Sequence, residues 1–142
     1  MKRIVALILL TAATATLALV PAGCSKAVPT SPGIVHGEAT FQGRAMAGGL
    51  VVFVPNADRG CTGKMHTATV AADGTYQLAE GAKAIAPGWY LVALSDPIDW
   101  YGSEWAQAFP AALRRPDLSG LEREVKAGQD HTFDFKIELT AR

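Results

Sequence analysis

The chain has 142 residues, of which 49% are hydrophobic, 18% charged and 8% aromatic, with thirteen basic and thirteen acidic side chains. That length fits one domain of ordinary size, and the apolar content can bury a core, which excludes a wholly disordered chain. The balanced charge excludes a polybasic nucleic-acid surface, and two cysteines exclude a disulfide-dense scaffold or a Cys-rich four-ligand zinc site.

Residues 1–23 differ from the rest. Lys2 and Arg3 make a positive start, and Ile4 to Val20 then runs without a charge. The apolar run is short for a bilayer span, which needs about 20 residues. A charged start, an apolar stretch and a small-residue exit describe a secretory signal. The exit, Val20-Pro21-Ala22-Gly23-Cys24, resembles the lipobox of bacterial lipoproteins, with Pro21 where that pattern usually has Leu. The resemblance implies cleavage before Cys24 and lipid attachment to it. Secretion without lipid and an uncleaved signal anchor are the alternatives.

Cleavage would leave 119 residues with eleven basic and thirteen acidic side chains, a slightly acidic chain. The expected organisation is a signal peptide at 1–23, a polar, Pro-rich, lipid-bearing tether at 24–32 and a folded domain at 33–142. The expected location is the cell envelope, on a membrane and facing the periplasm or the exterior. Several acyl chains, as the lipoprotein pattern implies, hold a protein firmly where one chain holds it marginally.

The folded part reads as strands and turns. In Ile34 to Phe41, residues Val35, Ala39 and Phe41 share one face and His36, Glu38 and Thr40 the other. Gln42-Gly43-Arg44 is a tight-turn signal. Leu50 to Val54 is a short, branched, continuously apolar run ended by Pro55, which predicts a buried strand. Asn56 to Gly63 is a loop, and His66 to Val70 alternates again. Asp73-Gly74 fits the two-residue type I′ turn of a hairpin, with Tyr76 and Leu78 on the return strand. Trp89 to Leu94 is another strand after Pro87-Gly88. Ser103 to Leu113 has room for one short helical turn. Leu121, Arg123 and Val125 share a face, and Lys126 to Gln129 is a turn. Phe133, Phe135, Ile137 and Leu139 then alternate with polar residues, predicting one buried and one wet face. Seven or so short strands at regular spacing argue for an all-β antiparallel sandwich.

The ordered segments HGEATFQGRAMAGGLVVFVP, TVAADGTYQLA, APGWYLVAL and LSGLEREVKAGQDHTFDFKIEL resemble the carboxypeptidase-regulatory-like, transthyretin-like domains. They resemble in particular the version in short lipoproteins of planctomycete-type bacteria. The resemblance spans about Gly33 to Leu139 and implies a seven-stranded prealbumin-like (transthyretin/Ig-like) β-sandwich. That fold is shared by accessory modules and adhesin stalk domains. The hydroxyisourate hydrolases of this fold end in Tyr-Arg-Gly-Ser, whereas this chain ends Leu139-Thr140-Ala141-Arg142.

Candidate chemistry is sparse. The histidines are His36, His66 and His131, and no G-x-S-x-G elbow occurs. Cys61 and His66 could pair as thiolate and base, but nothing supplies a third, orienting group. Cys61, Met65 and His66 are soft ligands within six residues, yet a blue-copper site needs a second histidine. The expectation is therefore no catalytic residue, no metal and no cofactor, with Cys61 a small buried hydrophobe. Asn56, the single Asn, sits in a loop rather than on the final strand, which argues against the Lys–Asn crosslink of related adhesin modules.

The positive signal is aromatic. Trp89, Trp100, Tyr101 and Trp105 fall close together in sequence and include every Trp of the chain. Such side chains anchor protein interfaces or stack on sugar rings. They can equally close an open end of the sandwich. Asp96, Asp99, Glu104 and Gln107 could bond hydroxyls beside them, and Arg114-Arg115 reads as a solvated pair. The sequence therefore points to a non-enzymatic, lipid-anchored envelope module with a structural or protein-recognition role. A carbohydrate-binding module using the loop 95–116 is the alternative.

Overall fold

The computed structural model describes residues 34–78 and 85–140. The expected signal peptide, the tether and Cys24 lie outside the described residues. The described part is mostly strand. Its strands are β1 (Ile34–Phe41), β2 (Arg44–Ala45), β3 (Leu50–Pro55), β4 (His66–Thr69), β5 (Thr75–Gln77), β6 (Gly88–Ser95), β7 (Glu122–Val125), β8 (Asp130–Thr132) and β9 (Phe135–Ile137). One sheet is built around β1, with β2 and β5 antiparallel to it and β8 and β9 parallel to it. The other runs β4-β3-β6-β7, all antiparallel. The two sheets enclose one apolar core, as expected for an all-β sandwich.

β1 behaves as its alternation predicts. Val35, Ala39 and Phe41 are buried while His36 and Glu38 face solvent. The chain turns tightly at Gln42 (φ 51°) and Gly43 (φ 73°) into β2. β3 differs from the expected fully buried strand. Only Val51 and Phe53 are buried, and Leu50, Val52 and Val54 retain exposure. One face of its sheet meets the core and the other meets water, so a continuous apolar run here does not signal burial on both faces.

Three further expectations are corrected. First, the sandwich is not wholly antiparallel: the C-terminal strands run alongside β1 in the same direction. Second, Asp73-Gly74 does not close a type I′ hairpin. Only Gly74 takes positive φ (90°), and the Asp73 carboxylate instead accepts from the Thr75 amide at 3.0 Å and its hydroxyl at 2.7 Å. β4 and β5 then belong to different sheets, so the turn carries the chain across the sandwich.

Third, the strand expected over Phe133 to Leu139 is broken. β8 ends at Thr132, β9 begins at Phe135, and Leu139 is exposed. The break sits opposite Gly37. The Phe133 carbonyl comes so close that a Cβ on Gly37 would lie 2.1 Å from its oxygen. That carbonyl accepts the Tyr76 hydroxyl at 2.6 Å, while Asp134 Oδ1 accepts the Glu38 amide at 3.0 Å. The ladder is thus interrupted but its polar groups are satisfied, as buried backbone requires. The break and the two-residue β2 account for nine described strands where about seven were expected.

β1 also gives the domain a direction. The chain enters the described fold at Ile34, and Phe41 ends the strand about 23 Å away at 3.3 Å per residue. The Gly37 contact is a direct test of this architecture. Gly37→Ala is expected to destabilise the fold by about 3 kcal/mol, because backbone rather than a flexible side chain must move. Thermal unfolding should show a midpoint lowered by roughly 10–20 °C; an unchanged midpoint would mean that the β8–β9 break is not held against Gly37.

Candidate functional site

The segment after β6 folds as a cap rather than a loop. It holds 3₁₀ turns at Ile98–Trp100 and Ala111–Arg114 flanking a short helix, α1 (Glu104–Ala108). Ser103 caps α1, its hydroxyl accepting the Ala106 amide at 3.4 Å, and Pro110 and Pro116 bound the final turn. The helical content exceeds the single turn expected from sequence.

The cap is fastened to β1 by aromatic contacts. The Phe41 ring lies 5.9 Å from Trp100, 6.0 Å from Trp105 and 5.2 Å from Phe109, the last two edge-on. Trp100 and Trp105 lie 5.7 Å apart. Each such pair contributes about 0.5–1.5 kcal/mol beyond the area it buries. Trp100 is buried, Trp105 is half-buried, and the Arg44 guanidinium lies over both rings at 5.7 and 5.2 Å.

The four aromatics singled out in sequence do not form one surface. Trp100 and Trp105 close the end of the sandwich at which β1 finishes. Tyr101, beside them in sequence, is 90% exposed, and its neighbour Ile98 is 88% exposed. Trp89 lies at the start of β6, while the cap follows its end. It is covered by Arg59 at 4.1 Å, and Arg59 pairs with Glu122 at 2.7 Å. Glu122 also accepts the buried Asn56 side-chain amide at 2.7 Å. That cluster is internally satisfied.

Arg114 is not the solvated residue expected from sequence. Its Nε donates to Asp96 at 2.7 Å, a second nitrogen donates to the Ala106 carbonyl at 3.1 Å, and the guanidinium lies over Phe109. It therefore ties the start of the cap to its helix. The Arg114 hydrogen bond holds the Asp96 carboxyl below its ordinary value. Asp96 is thus occupied and does not join Asp99 and Glu104 as a free acceptor. Arg115 matches expectation, pairing only with exposed Asp117.

The soft side chains are dispersed. Cys61 is buried and, among the described residues, has no disulfide partner; it packs so closely on Gly88 that a Cβ there would lie 2.5 Å from its sulfur. Met65 is exposed. His66 sits 6.2 Å from the Tyr90 ring, and burial lowers its pKa. Burial, then the nearby Cys61, pushes the Tyr90 hydroxyl up to about 12, and that hydroxyl donates to the Ala86 carbonyl at 2.7 Å. Among the described residues no three His, Cys, Asp or Glu side chains gather as a metal-binding group.

Two clefts flank the cap. One, of about 480 Å³, is lined by Leu50, Asp96, Pro97, Ile98 and Tyr101 among others. The second, of about 240 Å³, lies between Phe41, Gln42, Glu104, Trp105 and Ala108. Sequence reasoning missed Leu50, Ile98, Gln42 and Arg44. Leu50 and Ile98 read as ordinary apolar residues, and Arg44 is drawn to the tryptophans only by the β1–β2 turn.

No family model matches the chain, and no curated protein is significantly similar to it.

The Asp96–Arg114 tie sets a pH dependence. A carboxyl with a lowered folded pKa stabilises the fold above its unfolded value, ordinarily 3.8, and loses that contribution as pH falls through the folded value. His66 acts in the same direction: below about 6.5 the unfolded ring takes up a proton that the half-buried folded ring resists, so acidification favours unfolding. Stability measured by urea unfolding should therefore fall on acidification. Asp96→Asn should cost about 1 kcal/mol at neutral pH and flatten the acid limb below pH 3.8; an acid limb identical to wild type would show that Asp96 is not held by Arg114.

Proposed function

We propose that the chain is a non-enzymatic module of the cell envelope, tethered through lipid on Cys24, that recognises another envelope protein with the capped end of its sandwich. The observation that carries this reading is the exposure of Ile98 and Tyr101, two large side chains on one 3₁₀ turn. With Leu50 they border the 480 Å³ cleft. Burying each on a partner is worth about 1.5–3 kcal/mol, and tyrosine is enriched among residues that dominate binding energy.

The direction of β1 supports the same reading. Ile34, where the tethered segment joins, lies at one end, and the cap lies at the other. A lipid on Cys24 would therefore join the domain through the end opposite the exposed turn. Asp99, exposed between Ile98 and Trp100, favours a cationic group on the rim of the partner.

Affinity purification from solubilised envelopes tests this with a double variant, Ile98→Ser with Tyr101→Ser. Both positions are exposed, so the variant should unfold at the wild-type temperature. Recovery of the protein enriched by wild type should fall about tenfold or more. Equal recovery by the folded variant would remove this surface from the partner interface.

A further inference from the structure

β7 and β8 lie in different sheets, and residues 126–129 carry the chain from one to the other. β8 starts beside Ile34, so this crossing sits at the end of β1 opposite the cap. One side-chain contact spans the turn: the Lys126 backbone amide donates to Nε2 of His131 at 2.8 Å. A ring nitrogen accepts a hydrogen bond only while it carries no proton, so this contact requires the neutral ring with its hydrogen on Nδ1.

The Lys126 carbonyl lies 3.4 Å from the same Nε2. One nitrogen therefore has two mutually exclusive partners, a donor when it is bare and an acceptor when it is protonated. The ring is the fixed side of this contact. It stacks on Phe133 with centroids 5.3 Å apart and planes 15° from parallel, and Phe133 stacks in turn on core residue Phe53. The turn is the freer side, because Lys126, Gly128 and Gln129 are exposed and segments with few buried contacts open at small cost. The charged groups around the ring come from β7, the turn and β8. Arg123 has its guanidinium 5.7 Å from the Phe133 ring, Lys126 supplies the bonded amide, and Asp130 adjoins His131 in the chain. β1 places Val35 opposite His131, and His36 pairs with Thr132 instead.

We propose that His131 is a proton-operated latch on the turn between β7 and β8. With the ring neutral, Nε2 holds the Lys126 amide and the turn is closed. With the ring protonated, two N–H groups point at one another and that bond is lost. Nε2 then donates to the Lys126 carbonyl, and the turn shifts against the stacked ring. The proton comes from water, and no covalent bond of the backbone changes. Acid thus loosens the crossing between the sheets beside Ile34 and leaves the cap in place. The effect is local to the turn, unlike the contributions of Asp96 and His66 to the stability of the whole fold. The latch shares no residue with the surface around Ile98 and Tyr101, so it stands or falls independently of the protein-recognition reading.

Amide exchange at Lys126, expressed as protection relative to an unstructured chain, is compared at about pH 8 and about pH 5, the span over which histidine changes charge. Wild-type protection should fall about fivefold or more on acidification, the loss expected for one hydrogen bond. The β3–β6 amides from Val51 to Val54 report any global loss and should fall less. His131→Gln keeps an acceptor that takes no proton, so Lys126 should stay protected at both pH values. His131→Phe keeps the stack on Phe133 and removes the acceptor, so protection should be low at both. Nitrogen-15 shifts of the wild-type ring should show the Nδ1–H form at about pH 8, a readout that needs no variant. The proposal is overturned by the Nε2–H form at that pH, by Lys126 protection that falls only in step with the β3–β6 ladder, or by the same acid loss in folded His131→Gln.

Discussion

The Phe41 ring is the contact on which the capped end depends. It is the last inward residue of β1, fully buried, and it touches Trp100, Trp105 and Phe109 together. A sandwich edge-closed by strands is still open at its ends, and an aromatic cluster fills that opening with large, rigid side chains. The tryptophans are therefore chiefly structural in their inner parts. What they leave exposed is at their margins: Tyr101 and Ile98 on one side, and Arg44 lying over the indoles on the other.

β1 performs a second task. Its inner residues form the core, its Gly37 admits the Phe133 carbonyl, and its two edges hold every other strand of its sheet. Antiparallel partners lie on one edge and parallel partners on the other. The C-terminal strands thereby lock against the first strand, a long-range closure that ties both ends of the domain together. At the β8–β9 break the Phe133 carbonyl accepts the Tyr76 hydroxyl and the Asp134 side chain accepts the Glu38 amide, which makes the interruption compatible with a folded core.

The sequence made local periodicity legible and left distant partnership obscure. Alternation identified the buried faces of β1 and of Phe133 to Ile137, because period two follows directly from strand geometry. It could not show the break at Phe133, whose cause is a glycine 96 residues earlier. Asp73-Gly74 was legible as a turn, yet which sheet receives the following strand depends on non-local pairing. The Trp-rich stretch was legible as an end-covering or binding segment. Its division into buried Trp100 and exposed Tyr101 was not, since Phe41 decides it. Arg114 looked solvated because its acceptor lies 18 residues upstream.

The cap is a docked element whose order depends on Phe41, and amide hydrogen exchange on wild type and Phe41→Leu is the decisive measurement. Removing the ring should accelerate exchange in the cap amides, such as Trp100, Phe109 and Leu113, by about tenfold or more, which corresponds to about 1.4 kcal/mol of local stability. The β3–β6 ladder from Val51 to Val54 should keep most of its protection. Cap amides as protected as in wild type, or cap and ladder losing protection equally, would contradict the claim.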